Sequence, residues 1–499
     1  MKNRILFWID AEFKHFAIAK ILQEKLDADF YVIYDLNHHF KKVFKNQKMV
    51  NFKKEWFYWD NFQNKITAPD IEYLINFEKK YRINLWQLVY GERLFYQYNQ
   101  FYKFNRTEIL SILEKDCKFF ESVLDEVKPE FLLNKVTDFH RNHLLAELCK
   151  AKGIKVLTTM PTRLGYRSRI GSELQKKDEF WKDVNESKKF QTFSELREYI
   201  KKFDRYKQTH QQKSGGLGYP VWKKIIPSIK WAFKTFDEEY RKQYDHYGVT
   251  RSKVLIIKIM YDIKRILRKR FIDKNASKTI THEEKFVFFP LQVEPERTVG
   301  FDAPYYSDQL NVIKNVARSL PVDMKLYVKE HFNMKFRSWR KIQFYKEILN
   351  LPNVQLIHPL VDPNEILEKC MMVITINSTA GLEAAFHGKP SIIFSDTTYS
   401  DLSSVIKIKR LDDLPIIINK ALQMKVNLED ISRFVNLLEK NSFEFDDFGF
   451  TNEILEKFHM DGFMINEDIS LSKLSEFIEK KRHELEILVN KHIEIISGK

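Results

Sequence analysis

Short apolar runs alternate with helix-period segments in two stretches of this chain, and that rhythm restricts its fold more than any other feature. From Lys285 onward, "KFVFFPL", "MKLYVK", "VQLIH", "MVITI" and "PSIIF" are too short for helices and rich in β-branched and aromatic residues, so they read as strands. Between them lie "SDQLNVIKNVARSL", with Ser307 as the expected cap, "SWRKIQFYKEILN", "DPNEILEKC" and "STAGLEAAFHG", all helical in spacing. "DLPIIINKAL" predicts one later helix. The N-terminus shows the same order: strand Ile5 to Ile9, a helix carrying Phe13, Phe16, Ala17 and Ile21, then strand Tyr31 to Tyr34. A third copy follows at "PEFLLNKVTDFHRNHLLAELCKAKGIKVL", where Gly153 ends a helix before strand Ile154 to Leu157.

Apolar strands alternating with helices form parallel sheets covered on both faces. A chain of 499 residues exceeds one ordinary core. The expected fold class is therefore α/β, with two doubly wound Rossmann-like domains facing a cleft, plus extra helices. The expected division is 1–175 for the first domain, 176–280 for a helical, basic insert and linker, 281–450 for the second domain, and 451–499 for C-terminal helices. The insert lacks alternating strands and contains the break "KSGGLGYP" at 213–220. In such folds the ligand sits beyond the carboxyl ends of the strands.

Charge and cysteine usage narrow the function classes. A formal net charge of +15 calls for an anionic partner: nucleic acid, a membrane face or acidic small molecules. Zinc-finger spacing and RNP signatures are missing, and the basic residues are spread along the chain, which argues against nucleic acid. Cys117, Cys149 and Cys370 are widely spaced and read as core thiols of a reducing compartment. Asp10 and Glu12 interrupt the first apolar run, so no signal peptide is expected, and a cytoplasmic location follows.

The polar centre of "MVITINSTAGLEAAFHGKPSIIF" is the sharpest local signal. Asn377 and Ser378 fall at a strand end, where a helix N-terminus offers amides to an anion. Ser378 and Thr379 add hydroxyls, Ala380 and Gly381 leave room for phosphate, and Glu383 one turn on suits ribose hydroxyls. A plain helix cap explains the same residues. Two other strand ends add polar groups to that rim: Lys329, Glu330 and His331 in "LYVKEHFN", and Gln292, Glu294 and Arg297 in "FPLQVEPER".

Together "FPLQVEPE", "LYVKEHFN" and "ITINSTAGLEAAFHGKPSIIF", spanning about residues 285 to 400, resemble the capsule polysaccharide biosynthesis family, which includes the Kdo transferases. The resemblance implies a GT-B-type glycosyltransferase using a nucleotide-activated sugar, possibly CMP-Kdo-like, as substrate and needing no cofactor. It places His331, Ser378 and Thr379 on the nucleotide phosphate and Glu383 near the ribose. His331 precedes Phe332, where the family has proline.

Glycosyl transfer needs positive charge for the departing phosphate, for which Lys329, His331 and Arg297 are candidates. It also needs a base for the acceptor hydroxyl on the first domain. Asp138 is the first choice and Asp10 the second, with Glu12 and His140 close by in sequence; each is equally readable as a loop carboxylate or cap. Arg163, Arg167 and Arg169 in "PTRLGYRSRIG" suit an anionic acceptor or a solvated loop. No DxD pair is present, so metal independence is expected. The expected acceptor is a growing surface polysaccharide or its lipid-linked precursor. The basic segment 251–271, with eight Lys or Arg against one Asp, fits either an anionic inner membrane face or packing against the enzyme. A nucleotide-sugar epimerase, a polyol-phosphate transferase or a non-catalytic scaffold of the same fold are the rival readings.

Overall fold

The computed structural model describes residues 2–62, 68–97, 102–162, 164–183, 190–202, 250–281, 283–294, 296–335, 340–459 and 469–498, together with 229 and 233. Arg163 and the 213–220 break lie outside them. Two sheets carry the fold. The first contains β1 (Asn3–Asp10), β2 (Ala28–Asp35), β3 (Lys54–Phe57), β4 (Phe131–Asn134), β5 (Lys155–Pro161) and β6 (Arg167–Gly171). The second contains β7 (Phe286–Pro290), β8 (Lys325–Lys329), β9 (Val354–Ile357), β10 (Met372–Thr375), β11 (Ser391–Ile393) and β12 (Val405–Lys407). A last strand, β13 (Phe443–Glu444), returns to the first sheet and pairs antiparallel with β6.

The second sheet is wholly parallel, in the order β12-β11-β10-β7-β8-β9. The first runs β13-β6-β5-β4-β1-β2-β3, parallel from β5 through β3 and antiparallel beyond. In each, strand order reverses beside the first strand, between β1 and β4 and between β7 and β10. Such a reversal splays the following loops apart and opens a crevice at the strand ends. The molecule is thus two doubly wound Rossmann-like domains with extra helices, a GT-B-type α/β architecture.

Fully buried strand centres such as Leu132, Leu133, Val373 and Ile374 account for the uninterrupted apolar runs. Helix ends follow local chemistry. Asn105 and Glu108 form a reciprocal capping box at the start of Arg106–Val127. Gly153 and Gly388 take φ of 73° and 68°, the left-handed conformation that ends a helix at little cost for glycine. Ser307 is not the cap of the helix at Gln309–Ser319; the Asp308 side chain accepts from the Asn311 amide instead. In "SWRKIQFYKEILN" the first two residues lie outside the described ones, and the helix spans Ile342–Leu349. The C-terminal amphipathic stretch divides into Leu471–Lys480 and Arg482–Ile496. Their Leu474, Phe477, Ile478, Leu485 and Leu488 join Ile5, Phe7, Phe16 and Ile18 in one core. β13 and these helices therefore complete the first domain, and the chain has returned to it at Phe443, before residue 450.

Candidate functional site

At the first reversal, β1 ends in Asp10 and β4 is followed by Lys135. Lys135 Nζ lies 2.8 Å from Asp10 Oδ2, 2.9 Å from Glu12 Oε1 and 3.8 Å from Asp138 Oδ1. Arg93 holds Asp138 from outside, 3.0 Å from its carbonyl and 3.2 Å from its Oδ2. The turn after β1 is tight: the Phe13 amide donates to the Asp10 carbonyl and the Glu12 amide to Asp10 Oδ1. Phe13 adopts φ 51°, an uncommon conformation for a bulky residue that costs roughly 1 kcal/mol or more. Its ring is buried against Phe40, Phe44 and His459, which hold the turn in place.

Burial disfavours the Asp10 charge, but the Lys135 ammonium outweighs it and holds the carboxyl below its ordinary value. Glu12 moves the other way, raised by burial and by the neighbouring Asp10 charge despite Lys135. Burial likewise disfavours the Lys135 ammonium, yet Asp10, Asp138 and Glu12 together raise its pKa well above the ordinary lysine value. His140, adjacent in sequence, is a core residue: its imidazole contacts Glu92 at 2.7 Å and Asp116 at 3.1 Å. Burial opposes its charge, the two carboxylates prevail, and its pKa is pushed up to about 9.

At the second reversal, Gln292 just past β7 donates to Thr375 Oγ1 at the end of β10, 3.3 Å away. Behind it lies a buried ionic network that the sequence reading missed. Arg340 pairs with Glu330 at 3.0 Å and Glu294 at 2.5 Å and donates to the Gln292 carbonyl. Tyr345 donates to Glu330 at 2.6 Å, and the other Glu330 oxygen accepts from the His331 amide at 2.7 Å. The His331 ring in turn accepts from the Asn333 amide at 3.1 Å. The network fixes the polar loop after β8. Lys329, the last residue of β8, is buried and donates to the Pro359 carbonyl at 3.1 Å. Burial lowers its pKa to about 8, against the pull of Glu330, Asp362 and Glu383.

The "NSTAG" turn is more self-contained than expected. Its helix spans only Ala380–Phe386. The Ser378 amide donates to Thr375 Oγ1, and the Ala380 amide to Ser378 Oγ. Leu382 and Glu383 amides donate to the Thr379 carbonyl. Hydroxyls and turn carbonyls thus take up the Ser378, Ala380, Leu382 and Glu383 amides, while Thr379, the N-cap of the helix, makes no side-chain cap bond. Gly381 is required for packing: a Cβ there would lie 2.6 Å from Tyr399 Oη, whose hydroxyl donates to the Ser378 carbonyl. Asn377 donates to the Thr298 carbonyl at 2.9 Å, and its buried Oδ1 has no partner.

Arg297 joins the two rims. It reaches Thr137, between Lys135 and Asp138, at 3.2 Å and pairs with Asp302 at 2.9 Å. Beside it the domains meet on bare backbone. A Cβ on Gly300 would lie 3.1 Å from the Gly91 carbonyl, and one on Gly91 2.5 Å from the Phe301 ring. Phe301 also packs on His143. Asp10, Glu12 and Asp138 are brought together; Gln292, Lys329, His331, Asn377, Ser378 and Thr379 belong to strands and loops of the second sheet, and Ala380, Gly381 and Glu383 to the helix that follows β10. Arg167 and Arg169 do not extend this set. Arg167 donates to Ser442 and to the Glu439 and Ser442 carbonyls, clamping β6 to β13. Arg169 is buried, donating to the Glu173 and Leu174 carbonyls beside Asp178 and Trp181. Their contacts support the sheet edge, which neither sequence alternative, an acceptor-gripping loop or a solvated one, anticipated. Among the described residues, no His, Cys, Asp and Glu group is arranged to hold a metal.

Comparison with known proteins adds three findings. Protein FixF of Sinorhizobium fredii is 28% identical over 129 residues, covering 24% of this chain and 29% of that protein, well under two thirds of its length. Among solved structures, UDP-GlcNAc 2-epimerase of Methanocaldococcus jannaschii aligns at 12% identity and TM-score 0.27, over 88% of this chain and 100% of that one. The β-Kdo 2,4-transferase region of Thermosulfurimonas dismutans KpsC aligns at 10% identity and TM-score 0.31, over 61% and 78%. Residues 222–402 match the model of the capsule polysaccharide biosynthesis proteins, the family that the strand-end motifs resemble.

Proposed function

We propose that this chain transfers a sugar from a nucleotide-activated donor to a growing surface or capsular polysaccharide or its lipid-linked precursor. The observation that carries the reading is the pairing of two strand-order reversals across one cleft, joined by Arg297 and Thr137, in a chain with the capsule-family segment. The donor occupies the second domain. Lys329 and His331 take the phosphate, Gln292 and the 377–379 turn shape the crevice, and Glu383 faces the ribose. Nearby fixed charge stabilises the leaving phosphate, which a buried lysine does more strongly than a solvated one.

The acceptor hydroxyl lies at the first rim. Asp10 and Glu12 both pair with Lys135, but the Asp10 pKa is lowered while that of Glu12 is raised, which makes the Glu12 carboxylate the stronger base. We assign proton acceptance to Glu12, with Lys135, Asp10 and Asp138 holding its position. Transfer forms the new glycosidic bond as the donor's anomeric carbon–phosphate bond breaks, and the acceptor proton passes to Glu12. A CMP-activated donor is the reading closest to the resemblance.

Calorimetry with CMP, CDP, UDP and GDP, on wild type and Lys329→Met, tests the donor site. Binding of one nucleotide, weakened in the variant, supports it; preference for UDP or GDP retains transfer and discards the CMP donor. Turnover of a nucleotide sugar without any acceptor would replace transfer with epimerisation, and no binding by any nucleotide would overturn the donor site.

A further inference from the structure

Arg251–Asn275 is a 25-residue helix, about 37 Å long at 1.5 Å per residue, capped by Thr250. Its C-terminal end is built into the second domain. Ile272 lies in the core, Asp273 pairs with His358 at 3.1 Å, and Ser277 bridges to Ile357 at the end of β9. Toward its N-terminus the helix presents Leu255, Ile256, Ile259, Met260, Ile263, Ile266 and Leu267 to solvent, with Ile256, Ile259 and Ile263 each more than half exposed (57%, 61% and 53%). At about 100° per residue these seven occupy one arc of roughly 140°. Val254, Ile257, Tyr261, Arg265 and Arg268, all partly covered, lie on the opposite side, toward the protein, while the partly covered Asp262 sits at the edge of the arc. The exposed stripe is therefore not the helix's packing face.

Charge identifies what the stripe meets. Helical spacing puts Lys253 and Lys264 along one border of the arc and Lys258 and Lys269 along the other, all four exposed. Within the helix Asp262 pairs with Arg265 and Asp273 with Lys269, so both acidic residues are accompanied by basic ones. An apolar stripe between two lysine borders matches a surface that is apolar below and anionic above, with lysine stems along the apolar layer and ammonium groups in the headgroups. No helix among the described residues is long and apolar enough to cross a membrane. We propose that residues 253–269 lie flat in the interface of an anionic lipid bilayer and dock the second domain there.

The test is sedimentation of the full chain with vesicles of phosphatidylcholine, alone or mixed with phosphatidylglycerol. The expected result is capture by the anionic vesicles only, weakened by added salt. Ile259→Glu with Ile263→Glu should lower capture about tenfold or more, and Lys253→Glu with Lys264→Glu several-fold. An unchanged thermal transition in each variant confirms that these exposed substitutions leave the fold intact. Amide exchange over 253–269 should slow on vesicle addition. Failure of the wild type to sediment, equal capture by neutral vesicles, or undiminished capture of the Ile259→Glu and Ile263→Glu variant would each overturn the proposal. Self-association lost in that variant, without vesicle binding, would instead assign the stripe to a second copy.

Discussion

Lys135 and Lys329 both stand at the carboxyl ends of parallel strands, one just beyond β4, across the reversal from β1, and the other at the end of β8, on the side of β7 away from the reversal. Their surroundings differ sharply. Lys135 has three carboxylates within 3.8 Å, and its pKa rises well above the ordinary lysine value. Lys329 is enclosed too, but it donates to a neutral carbonyl, and its pKa falls to about 8. Among the described residues no carboxylate pairs with Lys329 directly. The first rim is electrostatically complete without a ligand, while the second holds a cation that an incoming phosphate would relieve. That contrast suggests which domain takes the anionic donor and which handles a neutral hydroxyl.

The strongest challenge is to the scaffold behind the second rim. Arg340→Met leaves Glu330 and Glu294 buried without their cation, and unfolding by denaturant should show a loss of about 3–5 kcal/mol. A near-neutral result would show that this network does not hold the rim.

His140 and Lys329 give opposite pH responses. The His140 pKa is raised, so its stabilisation is fully present below about pH 6.5 and is lost as pH rises through about 9. The contribution is on the order of 3 kcal/mol and should disappear from the stability–pH curve of His140→Gln. The Lys329 pKa is lowered, so its charge destabilises the fold below about pH 8, and that penalty fades as pH rises toward the unfolded value near 10.4.

Nucleotide binding sharpens the contrast further. Because the charged form of Lys329 is the one that holds phosphate, affinity should fall as pH rises past about 8, with proton uptake on binding. Lys329→Met should weaken binding by roughly 10- to 100-fold and flatten that dependence, whereas Lys135→Met should leave nucleotide affinity unchanged and act on transfer. Equal loss of affinity from both variants would erase the distinction between the rims. The smallest expected effect is at the bridge. Arg297→Ala removes one hydrogen bond to Thr137 and the Asp302 pair, costing about 1 kcal/mol in stability and more in turnover than in nucleotide binding.

The double alternation of strands and helices was legible because buried parallel strands are almost purely apolar, as Met372–Thr375 and Phe131–Asn134 illustrate. Asp10, Glu12 and Asp138 were legible as polar residues beyond such strands. Their shared cation was not, since Lys135 reads as an ordinary loop lysine until β1 and β4 are placed side by side. Arg340 was hidden for the same reason: its partners Glu294 and Glu330 come from two other loops. The "NSTAG" turn was legible as a polar strand end, but its internal bonds were not, because hydroxyls able to bind a phosphate are equally able to bond neighbouring amides. Arg167 and Arg169 were read as exposed because nothing near them in sequence announces that Phe443 returns to pair with β6.

That return has a consequence for biosynthesis. Arg167 waits for Ser442, 275 residues later, and the core around Phe16 waits for helices nearer still to the C-terminus. On the ribosome the second domain can be complete while the first still exposes an open sheet edge and an uncovered apolar face. Premature termination shortly past Lys440 would therefore release a chain with its later half assembled and its earlier half unfinished, a product that chaperones and proteases would recognise by its beginning and not by its end.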